Sequence, residues 1–209
     1  TQSQKTATNV ANATFWWRVK AVDAAGNQSA WSNLWKVTID NDAPDVEVTT
    51  PAAGLVNGIV EVRGTVTDAN PHHYWFVIQN SSGTTVAGPG TVNDTTSFTN
   101  KLLLNWDTTS LPSGEYTIKL EARDSANNKD AGSVDWVKVQ VDNTRPTVTI
   151  TSPANDSAFN GPFSVLGTAD DADSGVKDIR VRFRNESDNA LVATFWATYD
   201  SGSKTWSLD

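Results

Sequence analysis

The stretch IDNDAPDVEVTTPAAG, residues 39–54, returns in nearly the same form as VDNTRPTVTITSPAND at residues 141–156. Pairing Pro51 with Pro153 gives a spacing of 102 residues, and the same spacing pairs Pro44 with Pro146 and Asp40 with Asp142. Working outward, VEVRGTVTDAN from Val60 matches SVLGTADDADSG from Ser164, with Gly64 and Gly167 lying 103 apart. RVKAVDAAGN from Arg18 matches KLEARDSANN from Lys119, with Asp23 and Asp124 lying 101 apart. Drifts of one residue are what surface loops absorb while strands keep register. A period near 100 residues is long enough for each copy to bury its own core, so the repeat is an array of domains.

Period-2 alternation runs through the central copy, and no long stripe of period 3.6 interrupts it. DVEVTT, GIVEVRGTV, HYWFVIQ, SFTNKLLLNW, EYTIKLEAR and DWVKVQV read as strands between turns rich in Gly, Pro, Asn and Asp. Val46, Val48, Val60, Val62 and Val66 face inward on this reading, as do Tyr116, Ile118, Leu120 and Ala122. About seven short strands in roughly 100 residues make a two-sheet sandwich.

Composition narrows the role. The chain of 209 residues has no cysteine, which removes disulfides, zinc thiolates and thiol nucleophiles. A net charge of −8 argues against a nucleic-acid partner, and no apolar run is long enough to insert in a membrane as a helix. The chain has no methionine, even at position 1, as expected of an internal piece of a longer protein.

LPSGEYTIKLEA from Leu111 resembles the tyrosine corner of immunoglobulin and fibronectin type III domains, with Tyr116 as the corner residue. NATFWWRVKAVDAAGNQSAWS is similar to the same region of a fibronectin type III or bacterial Ig-like repeat, with Phe15 in place of the tyrosine. The resemblance covers the whole chain and implies tandem β-sandwiches of extracellular surface proteins; it defines a superfold, not an activity. The expected fold is all-β, with one complete Ig-like domain at residues 44–145 flanked by two partial ones. Residues 1–43 hold the last strands of a first repeat and residues 146–209 the first strands of a third. A two-stranded ribbon is marginal alone, and Phe15, Trp16, Trp17, Trp31 and Trp35 need a partner sheet. Flanking sequence of the same protein, or a neighbouring copy joined head to tail by strand addition, would supply it.

No catalytic or cofactor-binding residue is assigned. Acidic side chains gather at two expected junctions: Asp23, Asp40, Asp42, Asp68 and Asn70 at the first, Asp124, Asp142, Asp170, Asp171 and Asp173 at the second. Calcium would suit such oxygen ligands, and DNDAP is similar to a cadherin linker, whereas DNTRP departs from it at Thr144 and Arg145. The competing reading is that these residues are turn formers, so no metal ligand is assigned. AVDAAGN reads as a hairpin turn, with Gly26 and Asn27 tolerating positive φ. His72 and His73 would point to opposite faces of an extended strand and so would not share a metal. Trp75, Trp106, Trp136 and Trp196 are candidates for a sugar platform, although the parity of Trp106 with Leu104 and of Trp136 with Val134 favours packing. Asn-x-Ser/Thr sequons begin at Asn12, Asn27, Asn80, Asn93, Asn155 and Asn185.

The expected function is a structural or adhesive segment of a long extracellular microbial surface or filament protein, and not an enzyme. It acts as a spacer stiffened at Pro44 and Pro146, or assembles by strand complementation. The rivals are a carbohydrate-binding accessory module of a secreted enzyme and a calcium-stiffened adhesin. Expected partners are copies of itself, flanking domains and surface glycans.

Overall fold

The computed structural model describes residues 10–209. The described strands are β1 (Ala13–Trp17), β2 (Trp35–Ile39), β3 (Asp45–Thr50), β4 (Gly54–Val56), β5 (Ile59–Thr67), β6 (Pro71–Asn80), β7 (Thr85–Val92), β8 (Phe98–Asp107), β9 (Gly114–Asp124), β10 (Val134–Val141), β11 (Thr147–Ser152), β12 (Val165–Asp170), β13 (Ile179–Arg184), β14 (Leu191–Asp200) and β15 (Thr205–Leu208). Helix among the described residues is limited to one 3-10 turn, Ala131–Ser133. Residues up to Ala53, Glu61–Trp106 and Tyr116–Val139 form one compact unit; Gly54–Val60, Asp107–Glu115 and Gln140–Asp209 form another.

In the first unit, alternation sets the core. β5 buries Val62 and Val66 while Glu61 stays exposed, and β9 buries Tyr116, Ile118, Leu120 and Ala122 at every second position. The sheet of order β3-β5-β8 packs against the run β10-β9-β6-β7 of a second sheet, and Phe76, Ile78 and Trp106 complete the fully buried layer. Contact between the sheets is close at Gly64, where an added Cβ would lie 2.7 Å from Leu120 Cδ2 and 3.1 Å from the Glu47 carbonyl. Tyr116 is buried near the start of β9 with its ring edge-on to Trp106 at 5.5 Å. Val46 and Val48, on edge strand β3, are only half buried.

β7 is a strand that the sequence pattern does not announce. Its TVAGPGTV carries Gly88, Pro89 and Gly90, which read as a turn. The sheet places it at an edge, where proline need not donate to a ladder. Gly88 has φ 104°, and a Cβ there would meet the Phe76 carbonyl oxygen at 2.6 Å, so the strand passes β6 at a bulge that only glycine fits.

The second unit holds a five-stranded sheet of order β11-β12-β15-β14-β13. β14 pairs with β13 from Leu191 to Ala197 and with β15 from Thr198 to Asp200, so one strand joins both neighbours. Val165, Ala169, Ile179 and Trp206 are buried, and Val181, Phe183 and Tyr199 pack on them. Gly167 lies against Trp206, and a Cβ there would come within 2.0 Å of the Thr149 carbonyl oxygen. The bonds before Pro51 and Pro153 are both cis.

Candidate functional site

Two apolar faces are left open. In the β1–β2 ribbon, the register Ala13↔Ile39, Phe15↔Val37, Trp17↔Trp35 puts three ring systems on one face, and all are exposed. Trp17 and Trp35 touch, with centroids 6.0 Å apart. In the second unit, Phe163, Val165, Phe183, Val192, Phe195 and Leu208 line an apolar hollow of about 420 Å³. Phe159, Phe163, Phe183 and Phe195 form a chain of ring contacts along it, with successive centroids 4.7, 6.2 and 5.9 Å apart. Among the described residues, β13 ends its sheet with one edge unpaired. In the central copy, the equivalent strand β6 carries β9 on that edge, pairing Tyr74↔Ala122, Phe76↔Leu120 and Ile78↔Ile118.

The acidic residues sort differently from the sequence expectation. Asp40, Asp68 and Asp124 bring one carboxylate oxygen each within 4.8 Å of one another. Asp124 therefore joins Asp40 and not the second junction. The cause is topological: β9 runs antiparallel to β6, so its last residue, Asp124, pairs with the first residue of β6, Pro71. Asp124 is 2 % exposed and clasped by Asn128, whose backbone N–H donates to Oδ1 at 2.7 Å and whose side-chain amide donates to Oδ2 at 2.6 Å. The same amide also donates to the Asp40 carbonyl at 2.9 Å, and Asn70 Nδ2 donates to Asp40 Oδ2 at 2.6 Å. Burial holds the Asp68 carboxyl above its ordinary range, and the Asp124, Asp40 and Asp42 charges push the same way.

Asp23 is not a member of this group. It closes the 23–27 hairpin turn by accepting from the Asn27 N–H and amide, both at 2.8 Å, and from the Ala25 N–H at 2.9 Å. Gly26 there has φ 92°, as the turn reading requires. The remaining acids are tied individually. Asp170 pairs with Lys204 at 2.6 Å, Asp171 accepts three backbone N–H groups of its own turn, and Asp173 accepts from the Thr144 hydroxyl. Asp142 accepts from the Thr144 N–H at 2.9 Å. Asn143 Nδ2 donates to the Thr108 and Leu111 carbonyls.

The expectation that His72 and His73 point to opposite faces fails. β6 shifts register between Pro71 and His73, which brings the two Nδ1 atoms within 2.8 Å and the rings into an edge-on contact. Of the four candidate tryptophans, Trp106 is core at 2 % exposure and Trp75 is half buried. Trp136 is 54 % and Trp196 61 % exposed, so parity with Val134 misplaces Trp136 on the inner face. The outward-facing set on β10 is Val134, Trp136 and Lys138, while Val139 and Val141 face the core. Of the sequon asparagines only Asn80 is half buried, its side chain accepting from the Ser82 and Thr84 N–H groups. Pro44 is fully buried and Pro146 exposed.

This double-layered, antiparallel architecture with a 102-residue repeat is that of tandem Ig-like domains. Residues 146–209 match the family model described as a bacterial Ig domain. A solved structure described as a tetra-tandem repeat in the extending region of a large adhesion protein aligns with 96 % of this chain at 23 % identity and a TM-score of 0.40. The alignment takes in 49 % of that protein, so this chain spans about half its length. No curated protein matches. Residues 146–209 are thus similar to a bacterial Ig domain, and the 102-residue repeat relates them to the segment that precedes them.

Proposed function

We propose that this chain is a non-enzymatic, extracellular segment that spaces or assembles a microbial surface structure, with domain divisions at 43/44 and 145/146. The observation that carries the reading is the contrast between the closed core of the central copy and the open apolar faces of its neighbours. The central copy is also a template for closing them. Phe15, Trp17, Val19 and Ala21 stand 101 residues before Tyr116, Ile118, Leu120 and Ala122. Ile179, Val181 and Phe183 stand 105 residues after Tyr74, Phe76 and Ile78, and the asparagine turns at Asn80 and Asn185 agree with that offset. The strand that continues β1 therefore adds to the free edge of β13 in a second copy, setting Trp17 opposite Phe183, Val19 opposite Val181 and Ala21 opposite Ile179. A heterologous contact of this kind propagates head to tail. Crosslinking tests it. A Val19→Cys, Val181→Cys double variant should give disulfide-linked ladders in oxidising conditions; only monomer would contradict the register.

A second reading, a cation-stiffened junction, is favoured by the convergence of Asp40, Asp68 and Asp124. Three carboxylates with a raised Asp68 pKa suit an oxygen-ligated divalent ion such as calcium, with Asn70 and water completing the shell. Calcium should raise the melting temperature and a chelator lower it, and Asp68→Asn should remove most of the difference. A melt indifferent to calcium would remove the ion from the account.

A further inference from the structure

Exposed tryptophans sit beside basic side chains on outward faces of all three segments. On the ribbon, Trp16 pairs across from Lys36, and Arg18 and Lys20 lie 4.5 and 5.0 Å from the Trp31 ring centre. In the second unit, Arg180 pairs across from Trp196 and lies 4.8 Å from its ring centre. In the central copy, Trp75, Thr117, Lys119, Glu121, Trp136 and Lys138 line an open hollow of about 540 Å³ on the outer face of β6, β9 and β10. Only 16 of 209 residues are Lys or Arg in a chain of net charge −8, so abundance does not explain a cation beside exposed tryptophan in every segment.

We propose that the hollow on β6, β9 and β10 binds a uronic-acid polysaccharide, in addition to the spacer role and independently of it. Trp75, half buried, and Trp136, exposed, stand on strands two spacings apart, roughly 10 Å, a separation that suits successive sugars. Lys119 stands on the strand between them, where it meets a uronate carboxylate. Glu121 does not oppose this, because Lys129 at 2.6 Å and Arg123 at 4.0 Å neutralise it. Charge complementarity selects the occupant. A neutral glycan makes no use of Lys119. A duplex nucleic acid, with a charge every 1.7 Å or so, is far denser in charge than a polyuronate with one carboxylate per sugar, and so meets the stronger repulsion from the acidic remainder of the chain.

Native-gel affinity electrophoresis of the full chain tests this, with polygalacturonate, dextran or an oligothymidylate in the gel. Polygalacturonate should retard the protein, and salt at about 0.5 M should relieve the retardation. The Trp75→Ala, Trp136→Ala double variant should bind roughly tenfold more weakly or worse, with its melting temperature checked for retained fold. Should that variant unfold, Lys119→Glu, at a half-exposed position, should weaken retardation in the same way. No retardation by polygalacturonate, undiminished retardation of the folded variants, equal retardation by dextran, or stronger retardation by oligothymidylate would each overturn the proposal.

Discussion

Asp124 and Asp23 occupy equivalent turns with the same Asp–Asn clasp, yet only Asp124 is buried and only its asparagine reaches back to Asp40. Asp124→Ala should therefore destabilise the central copy by about 1.5–3 kcal/mol, the range for hydrogen bonds to a charged group, while Asp23→Ala should leave that transition unmoved. Urea titrations of both variants check this. The glycines give a second test. Gly64→Ala drives a methyl into Leu120, Leu103 and the Glu47 carbonyl, and should cost about 1–3 kcal/mol. Asp94 is one contributor to acid stability, its carboxyl held at about 2 by Lys101 at 2.7 Å and by the Thr96 hydroxyl and N–H. Its pKa is lowered from 3.8, so the stability it lends is present above pH 3.8 and is lost as pH falls towards about 2. Asp94→Asn should flatten the acid limb of the stability profile in that window. Asp68 has the opposite sign: its raised pKa means that its charge opposes folding at neutral pH. In chelator, Asp68→Asn should raise the melting temperature. Side-chain placement at this scale was legible where alternation was strict, as from Tyr116 to Ala122, and failed where a register shift intervened, as at His72 and His73.

Elements were legible wherever β-branched and aromatic residues alternated without glycine or proline. β7 escaped because edge strands are released from the rule that every N–H must pair across the sheet, so their sequences can look like loops. The inner and outer faces of β10 could not be separated by parity alone. Trp136 and Val134 share a face, but the apolar pair that enters the core is Val139 and Val141, of the other parity. Ile118 illustrates what the closed core contributes. It is fully buried between β6 and its neighbours, and Ile118→Ala should cost about 2–5 kcal/mol. Its equivalent in the ribbon, Trp17, is half exposed, so Trp17→Ala should leave the melt of the dilute protein nearly unchanged and should instead weaken association at high concentration. A melting series at two concentrations separates the two effects.

The whole molecule owes its legibility to the repeat. The 102-residue period was readable from Pro44, Pro51, Pro146 and Pro153, because proline restricts the backbone of a turn more than alternation restricts a strand. The composition of each junction was not readable in the same way. Which end of a sandwich a loop occupies depends on strand direction in the folded sheet, and that is why Asp124 meets Asp40 across 84 residues of chain. The β6–β9 pairing of the central copy is the template for the strand complementation proposed above, with a strand of β9 pattern added along β13. The most direct test is the mass of the 209-residue chain in solution, by light scattering over a concentration series. Strand complementation predicts that mass rises with concentration into elongated head-to-tail species and that Trp17→Ala suppresses the rise. A constant monomer mass up to the highest concentration reached would contradict assembly through these faces.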